Sequence, residues 1–440
     1  MKVLTFKKGG VHPDEAKLTK DKKIEEFFDV EEVVVPLHQH TGAPNEPVVN
    51  VNDYVRMGQL IGNSNAKVYS PVHSPISGEV KGIETITLPT GKSCLGVRIK
   101  NDRKYEKDYV ERDISTIESL TNEEILNIIK NSGIVGMGGA AFPTHIKLFP
   151  PPDKKIEYLI INGAECEPFL TCDFRLMVEE SENIVKGIEI IKKLLNPKKV
   201  FIGIEDNKIE AAKEIDKFIK ARNLSDSTEV VILKTKYPQG SEKHLIKAIT
   251  GREVPSGGLP FDVGCVVQNV QTVFAIKEAI YDGKPLIERV ITISGSGVKE
   301  SKNLRVKIGT FAEEIIKYCG GVQGEIKKVI FGGPLMGFSS YTLKIPITKG
   351  TSGILIFTEK EVKDFEEYPC IRCGRCADAC PMYLMPMFID AYSRIEDFTK
   401  AKYYGALDCI ECGACAYVCP SKRHLVQSIR FAKGELLKKK

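Results

Sequence analysis

The sequence predicts a multidomain protein of mixed α/β and α+β class, and three observations carry that reading. The hydrophobic pattern changes along the chain from short strand-like runs to alternating strands and helices; a glycine-rich run stands near the start of the alternating part; and eight cysteines lie in two arrays near the C-terminus. At 440 residues and 42% hydrophobic composition the chain is long enough for about three domains with their own cores. Lys plus Arg (63) exceed Asp plus Glu (58) by five, so composition carries no global nucleic-acid signature. No segment approaches the roughly 20 apolar residues that cross a bilayer, and the opening MKVLTFKKGG lacks an apolar signal core. A soluble, cytosolic chain is therefore expected.

Residues 1–112 read as a β module, with VVVPLHQH, VNDYVRMGQLIG and SPISGEV as strands joined by turns. His38 and His40 are expected on one side of a strand; with no third ligand nearby they read as a structural or exposed pair rather than a metal site. The order NDYVRMGQ then SPISGEV resembles the lipoyl or biotinyl hammerhead. The flanks of Lys67 (NAKVY) lack the setting of a modified lysine, so no covalent cofactor is expected there. Residues 113–283 alternate: TIESLTNEEILNIIKNSG is expected as one capped amphipathic helix ended by Gly133, KIEYLIING and KVFIGIED as strands, and NKIEAAKEIDKFIKARN as a helix. Residues 284–352 return to β character in RVITISGSGV and EIKKVIFGGPLMG around the helix TFAEEIIKYCG, a small α+β module. Residues 353–440 hold the cysteine arrays.

CIRCGRCADACP places Cys370, Cys373, Cys376 and Cys380 in a C-x2-C-x2-C-x3-C-P run, and CIECGACAYVCP repeats it with Cys409, Cys412, Cys415 and Cys419. Three thiolates at this spacing wrap one corner of a [4Fe-4S] cube while the fourth, before proline, reaches the other cluster. The expected ligand sets are thus Cys370, Cys373, Cys376 with Cys419, and Cys409, Cys412, Cys415 with Cys380. Structural zinc uses separated C-x2-C pairs instead. Clusters of this kind carry single electrons and choose no substrate, so another part of the chain must supply the electrons. The stretch from Ser421 to Lys440 has seven basic residues and one acid, a local +6. It reads as a solvated, frayed terminus or as a contact for an anionic membrane or an acidic partner.

GIVGMGGAAFPTHIKL, from Gly133 to Leu148, packs four glycines and two alanines before a proline. It is neither a Walker A sequence nor a GxGxxG fingerprint, and reads as a loop laid against a ligand or as a tight connection. Downstream, INGAECEPFLTCDFRLM sets Asn162, Glu165 and Glu167 at a strand's C-terminal end, where α/β sheets recognise ligands.

MGGAAFPTHIKL, INGAECEP, YPQGSEKHLIKAITG and VGCVVQNVQT, in this order, resemble the flavin-binding segments of the NADH-oxidising subunit of respiratory complex I. The whole chain is more similar still to the C subunits of Rnf ion-translocating ferredoxin:NAD oxidoreductases. The resemblance implies four parts: an N-terminal hammerhead/barrel-sandwich module, an α/β flavoprotein domain, a β-grasp-like module and a two-cluster ferredoxin-like helical domain. It also implies non-covalent FMN cradled by Gly136, Gly138 and Gly139 with Lys147 supplying charge and backbone N–H groups at a helix start facing the phosphate. Asn162, Glu165 and Glu167 would address the flavin or the nicotinamide, with Glu165 the catalytic candidate, and Glu242, Asn269 and Thr272 would complete the pocket. NAD(H) would be the substrate, and the partners would be membrane and redox subunits, with an acidic ferredoxin-like protein among them, on the cytoplasmic face of the cell membrane. Against complex I, Ala164 replaces an aspartate, Ser241 one of two adjacent glutamates and Cys172 a lysine; Asp173 fits, while Arg175 falls one place late. The departures at Ala164 and Ser241 leave one competing expectation, an iron–sulfur docking relay that does not oxidise NADH; shared modules leave another, the related cobalamin reductase, against which the N-terminal position of the hammerhead speaks. Cys166, Cys172 and Cys265 lie near the motifs but read as buried filler rather than ligands.

Overall fold

The computed structural model describes residues 3–363 and 365–438; Lys439 and Lys440, the last of the basic tail, lie outside the described residues. The chain does not begin in its first module. Leu4 N–H donates to Ile232 O (2.8 Å) and Lys234 N–H returns to Leu4 O (2.9 Å), so the N-terminus adds to the central sheet. Val11 and Tyr237 exchange backbone bonds of 2.8 and 2.9 Å, and Gly10 N–H donates to Ala379 O (2.9 Å) in the cysteine-rich domain. β1 (Ile24–Phe27) then joins a sheet of the third module. The N-terminal residues thus strap three modules together before their own module starts.

That module holds β2 (Glu32–Pro36), β3 (Glu46–Pro47), β4 (Tyr54–Val55), β5 (Leu60–Asn63), β6 (Val72–His73), β7 (Gly78–Thr87) and β8 (Ser93–Asn101), in sheets ordered β2-β8-β7-β4 and β3-β5-β6. Val33, Val35, Val55, Ile61, Val80, Val97 and Ile99 from both sheets share one core. β2 reads as a continuous apolar run because Val34 is buried too, with its N–H on Gly309 O of the third module. The expected strand through His38 and His40 ends at Pro36. The two histidines sit in the following loop, each Nε2 against a carbonyl of that loop (Gly42 O at 3.1 Å, Ala43 O at 3.0 Å).

The central domain runs α1 (Ile114–Ser119), α2 (Asn122–Asn131), α3 (Thr144–Lys147), β9 (Tyr158–Gly163), α4 (Cys172–Glu179), α5 (Ser181–Leu195), β10 (Lys199–Glu205), α6 (Ile209–Ala221), β11 (Thr228–Leu233), α7 (Glu242–Thr250), β12 (Cys265–Asn269) and α8 (Val270–Tyr281). The one helix expected before Gly133 is two. Thr121 stops α1 and caps α2 in a capping box with Glu124, an arrangement worth about 1 kcal/mol. The sheet is parallel throughout, ordered β11-β10-β9-β12. Strand order therefore reverses at β9, which opens a crevice beyond the C-terminal ends of β9 and β12.

The third module contains β13 (Glu288–Ser294), β14 (Lys302–Lys307), α9 (Ala312–Tyr318), β15 (Lys328–Phe331), β16 (Phe338–Ser340) and β17 (Gly353–Phe357), in a sheet ordered β1-β14-β13-β17-β15-β16. It extends past the expected 284–352 at both ends, because β1 and β17 are parallel partners of β14 and β13. Parallel pairs need long crossovers, which local patterning does not reveal.

The last domain is helical: α10 (Arg375–Ala379), α11 (Pro386–Arg394), α12 (Phe398–Tyr403), α13 (Ala414–Tyr417) and α14 (Leu425–Lys438). Through Lys438 the basic segment is not frayed. Leu425, Val426, Ile429 and Ala432 bury one face of α14. Its cations are largely paired inside the chain: Arg423 on Asp390 (2.6 Å), Arg430 and Lys433 on Glu411 (2.8 and 2.9 Å), Lys438 on Glu435 (2.7 Å). The local +6 is therefore a poor measure of its pull on a membrane or an acidic partner.

Buried Glu288, where the central domain passes into the third module, pairs with Lys284 (2.5 Å) and Lys307 (2.6 Å). Burial alone would raise its pKa, but the two ammoniums outweigh burial and hold it at about 2, below the ordinary 4.5. Its contribution is present above about pH 4.5 and is lost as pH falls toward 2. Glu288→Gln is expected to destabilise the protein by roughly 3 kcal/mol at pH 7. In urea unfolding the gap between variant and wild type should close on acidification below pH 4.5.

Candidate functional site

In the β9–β12 pairing Asn162 stands directly opposite Asn269, so two amides from adjacent strand ends mark the reversal point. Asn162 Nδ2 donates to Gly240 O (2.7 Å), and Asn269 caps α8 by accepting Gln271 N–H (2.9 Å). Above them lies the glycine loop. Met137 N–H donates to Thr272 Oγ1 (2.9 Å) in the first turn of α8, and Gly136 N–H to Phe142 O (2.8 Å) closes the loop on itself. At the rim Lys147, in the single-turn helix α3, pairs with Glu242 at 2.5 Å.

The loop's glycines divide by cause. Gly133 has φ +66° and an added Cβ would fall 2.3 Å from Pro71 O, so the fold itself demands glycine there. Gly136, Gly138 and Gly139 have no positive φ; a Cβ would meet Phe142 O at 3.6 Å, Asn269 at 3.1 Å and no protein atom within 4 Å, respectively. The chain's own packing does not explain Gly139. Gly138 faces the strand-end amide of Asn269 and exposed Gly139 faces open space, which leaves room for a planar ligand such as FMN beside that strand end.

The two carboxylates expected to face that ligand are engaged elsewhere. Glu165, at φ +45°, accepts from Asp173 N–H (2.7 Å) and Phe174 N–H (3.2 Å), so it holds the first turn of α4. Burial raises its pKa against the pull of Lys17. Glu167 accepts from Leu335 N–H (3.0 Å) and Met336 N–H (2.8 Å), which ties its loop to the third module; burial pushes it up to about 7. Asp173 is the residue whose importance the sequence understates. Its carboxylate receives Asn269 Nδ2 and Gln271 Nε2, both at 2.7 Å, so Glu165 reaches Asn269 through it. Lys17 Nζ donates to Glu165 O, Glu167 O and Leu170 O (3.0, 2.8 and 2.6 Å), a contact no local motif announces.

The cysteines gather into two cavities. Cys370, Cys373, Cys376 and Cys419 line one; Cys380, Cys409, Cys412 and Cys415 line the other. The fourth cysteine of each array has crossed to the other's cavity. Arg372 and Glu411, at matching places in the two arrays, both adopt left-handed backbone (φ +56° and +59°) and donate N–H to Cys370 and Cys409 Sγ (3.4 and 3.3 Å). Four thiols around a small apolar space are a donor set for an iron–sulfur cluster. The second cavity abuts the central domain: Tyr237 OH donates to Cys412 O (2.6 Å), His244 Nε2 contacts Pro381 O (3.0 Å), and Cys412 shares a small core with Tyr237 and Cys166. The first is outer, with Cys370 and Cys373 exposed.

Residues 129–278 match the Nuo51 FMN-binding domain, residues 4–104 the RnfC barrel sandwich hybrid domain and residues 369–423 a 4Fe-4S dicluster domain. The chain is 51% identical over 97% of its length to the C subunit of a proton-translocating ferredoxin:NAD(+) oxidoreductase complex of Clostridium ljungdahlii, covering 93% of that protein. The chain belongs to the RnfC family. It is likewise 44% identical to the C subunit of the Na(+)-translocating complex of Acetobacterium woodii (98% and 97% coverage). With the C subunit of the ion-translocating oxidoreductase complex of Rhodobacter capsulatus the identity is 42% (98% and 83% coverage). Within this RnfC chain the fold is a barrel-sandwich N-terminal domain, an FMN-binding domain and a C-terminal 4Fe-4S domain, mixed α/β throughout.

If the cavities are the cluster sites, Cys380→Ser should remove or convert the cluster held by Cys409, Cys412 and Cys415 and spare the other. Iron content near half of wild type, with the EPR signal of the Cys370 set retained, is the expected result. Loss of the Cys370 set instead would reverse the assignment.

Proposed function

We propose that this protein is the NAD(H)-facing electron-transfer subunit of an ion-translocating ferredoxin:NAD oxidoreductase complex, held at the cytoplasmic side of the cell membrane by other subunits of that complex. One observation carries the reading: the crevice at the ends of β9 and β12 and the inner four-cysteine cavity are built into one contact, through Tyr237 on Cys412 and Cys166 in their shared core. A site for a two-electron carrier and a site for a one-electron carrier thus adjoin.

In this reading Gly136, Gly138 and Gly139 leave the loop low enough for FMN, Thr272 fixes its height, and Asn162 and Asn269 present amides from below. Lys147 and Glu242 guard the rim, Lys147 supplying positive charge once Glu242 is displaced or shared. Bound there, FMN supplies the exchange between hydride from NAD(H) and single electrons. Glu165 acts by setting α4 and, through Asp173, the orientation of Asn269; Glu167 holds the loop against the third module. The ligand sets are Cys370, Cys373, Cys376 and Cys419 for the outer cluster and Cys380, Cys409, Cys412 and Cys415 for the inner one. The exposure of Cys370 and Cys373 suits the outer set to exchange with a partner subunit. Among the described residues no helix is long and apolar enough to cross a membrane, so peripheral attachment through partners fits. The finer module names, hammerhead for the N-terminal sheets and β-grasp-like for the third module, belong to this reading as well.

Anaerobic purification with flavin and iron analysis, followed by NADH titration, tests the proposal. Bleaching of the flavin band by NADH is expected, and its absence would leave the relay without NADH oxidation. Gly139→Val is the sharper probe. The added methyls enter space that no protein atom occupies, so the variant should fold and keep both clusters while losing FMN. Full flavin occupancy in that variant would defeat the loop assignment.

A further inference from the structure

Lys349, in the loop before β17, is 1% exposed. Among the described residues no carboxylate lies within ion-pair distance of it. Its Nζ donates instead to Pro71 O of the N-terminal module (2.6 Å) and to Gly133 O, at the start of the glycine loop (2.7 Å), with Ser70 Oγ at 3.4 Å. Its own N–H donates to Gln39 Oε1 (2.9 Å). One lysine amine, its pKa lowered by burial to about 7, therefore stands where three modules meet. Gly133 is shaped around it, since a Cβ there would lie 2.6 Å from Nζ. The nearby titratable groups are buried His40 and His73 of the N-terminal module, both lowered by burial first and Lys349 second.

Burying a lysine without a counter-charge is costly, which is why burial lowers its pKa. What the lysine adds is direction: the N–H groups of one Nζ fix two carbonyls at once. The far side of the same loop is held by the N-terminal module too, with Thr41 Oγ1 on Ala140 O (2.6 Å) and Thr41 N–H on Ala141 O (3.2 Å). The other loop of the site repeats the device. Lys17, from the N-terminal strap, gathers the carbonyls of Glu165, Glu167 and Leu170. Each loop of the crevice is thus set by one lysine from outside the central domain.

We propose that Lys349 and Lys17 are positioning residues for flavin binding, and that the third module, seated on the N-terminal module, and the N-terminal strap serve the central domain by presenting these two lysines to its loops. The inference rests on the reading that the glycine loop holds FMN. It assigns the N-terminal module a task other than carrying a cofactor: flavin affinity becomes a function of how the modules dock.

The test uses the full chain, purified anaerobically, as Lys349→Met and Lys17→Met. Val33→Ala, a core truncation in the N-terminal module, serves as a control of matched thermal stability, and Gly139→Val as a control for the loop. Free FMN is the probe. Loss of the bonds that fix a loop carbonyl is expected to weaken FMN binding about tenfold. It should also raise hydrogen exchange of the 133–143 amides before FMN is added and alter the visible circular dichroism of the flavin at saturation, with iron content unchanged. Val33→Ala should move none of these readouts. If both lysine variants bind FMN as tightly as the Val33→Ala control while Gly139→Val has lost it, the proposal fails and the loop reading stands. If Gly139→Val also binds FMN normally, both fall together. Should Lys349→Met not fold, half-buried Lys17, whose replacement leaves the triple module junction intact, decides alone.

Discussion

The parallel pairing of β9 with β10 on one side and β12 on the other is the constraint on which the rest depends. Because connections to parallel strands cross over the sheet in one hand, reversing direction at β9 leaves two strand ends with no helix between them. Asn162 and Asn269 face each other across that gap. The glycine loop, the start of α4 and the start of α8 all converge on it. No single one of these elements makes a site; their common edge does.

What surrounds that edge comes from far along the chain. The N-terminal strap pairs with residues 232–237, passes Ala379 and ends with Lys17 among the carbonyls of the 165–170 loop. The third module contributes Lys349 to one loop and the backbone N–H groups of Leu335 and Met336 to the carboxylate of the other loop's Glu167. Leu335 also packs in the core that holds Cys412, so the same turn borders the inner cysteine cavity. In the proposed reading the redox sites follow in the order crevice, inner cavity, then the exposed outer cavity. Buried polar bonds, rather than apolar area alone, set the spacing of the first two, since Tyr237 must reach Cys412 O to be satisfied.

Much of this was legible in the residues, and what was not has physical reasons. The cysteine spacing carried the crossed arrangement because it encodes a local wrap and a proline-directed exit. The alternating pattern carried the α/β layering and the elements β9, β10 and α6, whose apolar patterning is strong, but not the four-strand order of the sheet. Glu165 and Glu167 read as ligand-facing because carboxylates at a strand end usually are; here the backbone N–H groups of α4 and of the third module take them first. The helix before Gly133 broke at Thr121 because a capping box and a continued helix share the same residue types. The basic tail misled by counting charge without its partners, Glu411 and Asp390, which lie earlier in the chain. β1, β17, Lys17 and Lys349 left no signal. A single strand paired at long range, or a lone lysine whose hydrogen bonds go to distant carbonyls, has no periodicity or spacing to detect.

The central claim is the order of the sites, with the Cys380, Cys409, Cys412 and Cys415 set next to the crevice and the Cys370 set beyond it. EPR of Cys370→Ser under NADH addresses it most directly. With the outer cluster lost, the signal of the inner cluster is expected to develop on adding NADH as it does in wild type. An inner cluster that is assembled, reducible by dithionite, and yet silent to NADH in this variant would contradict the order.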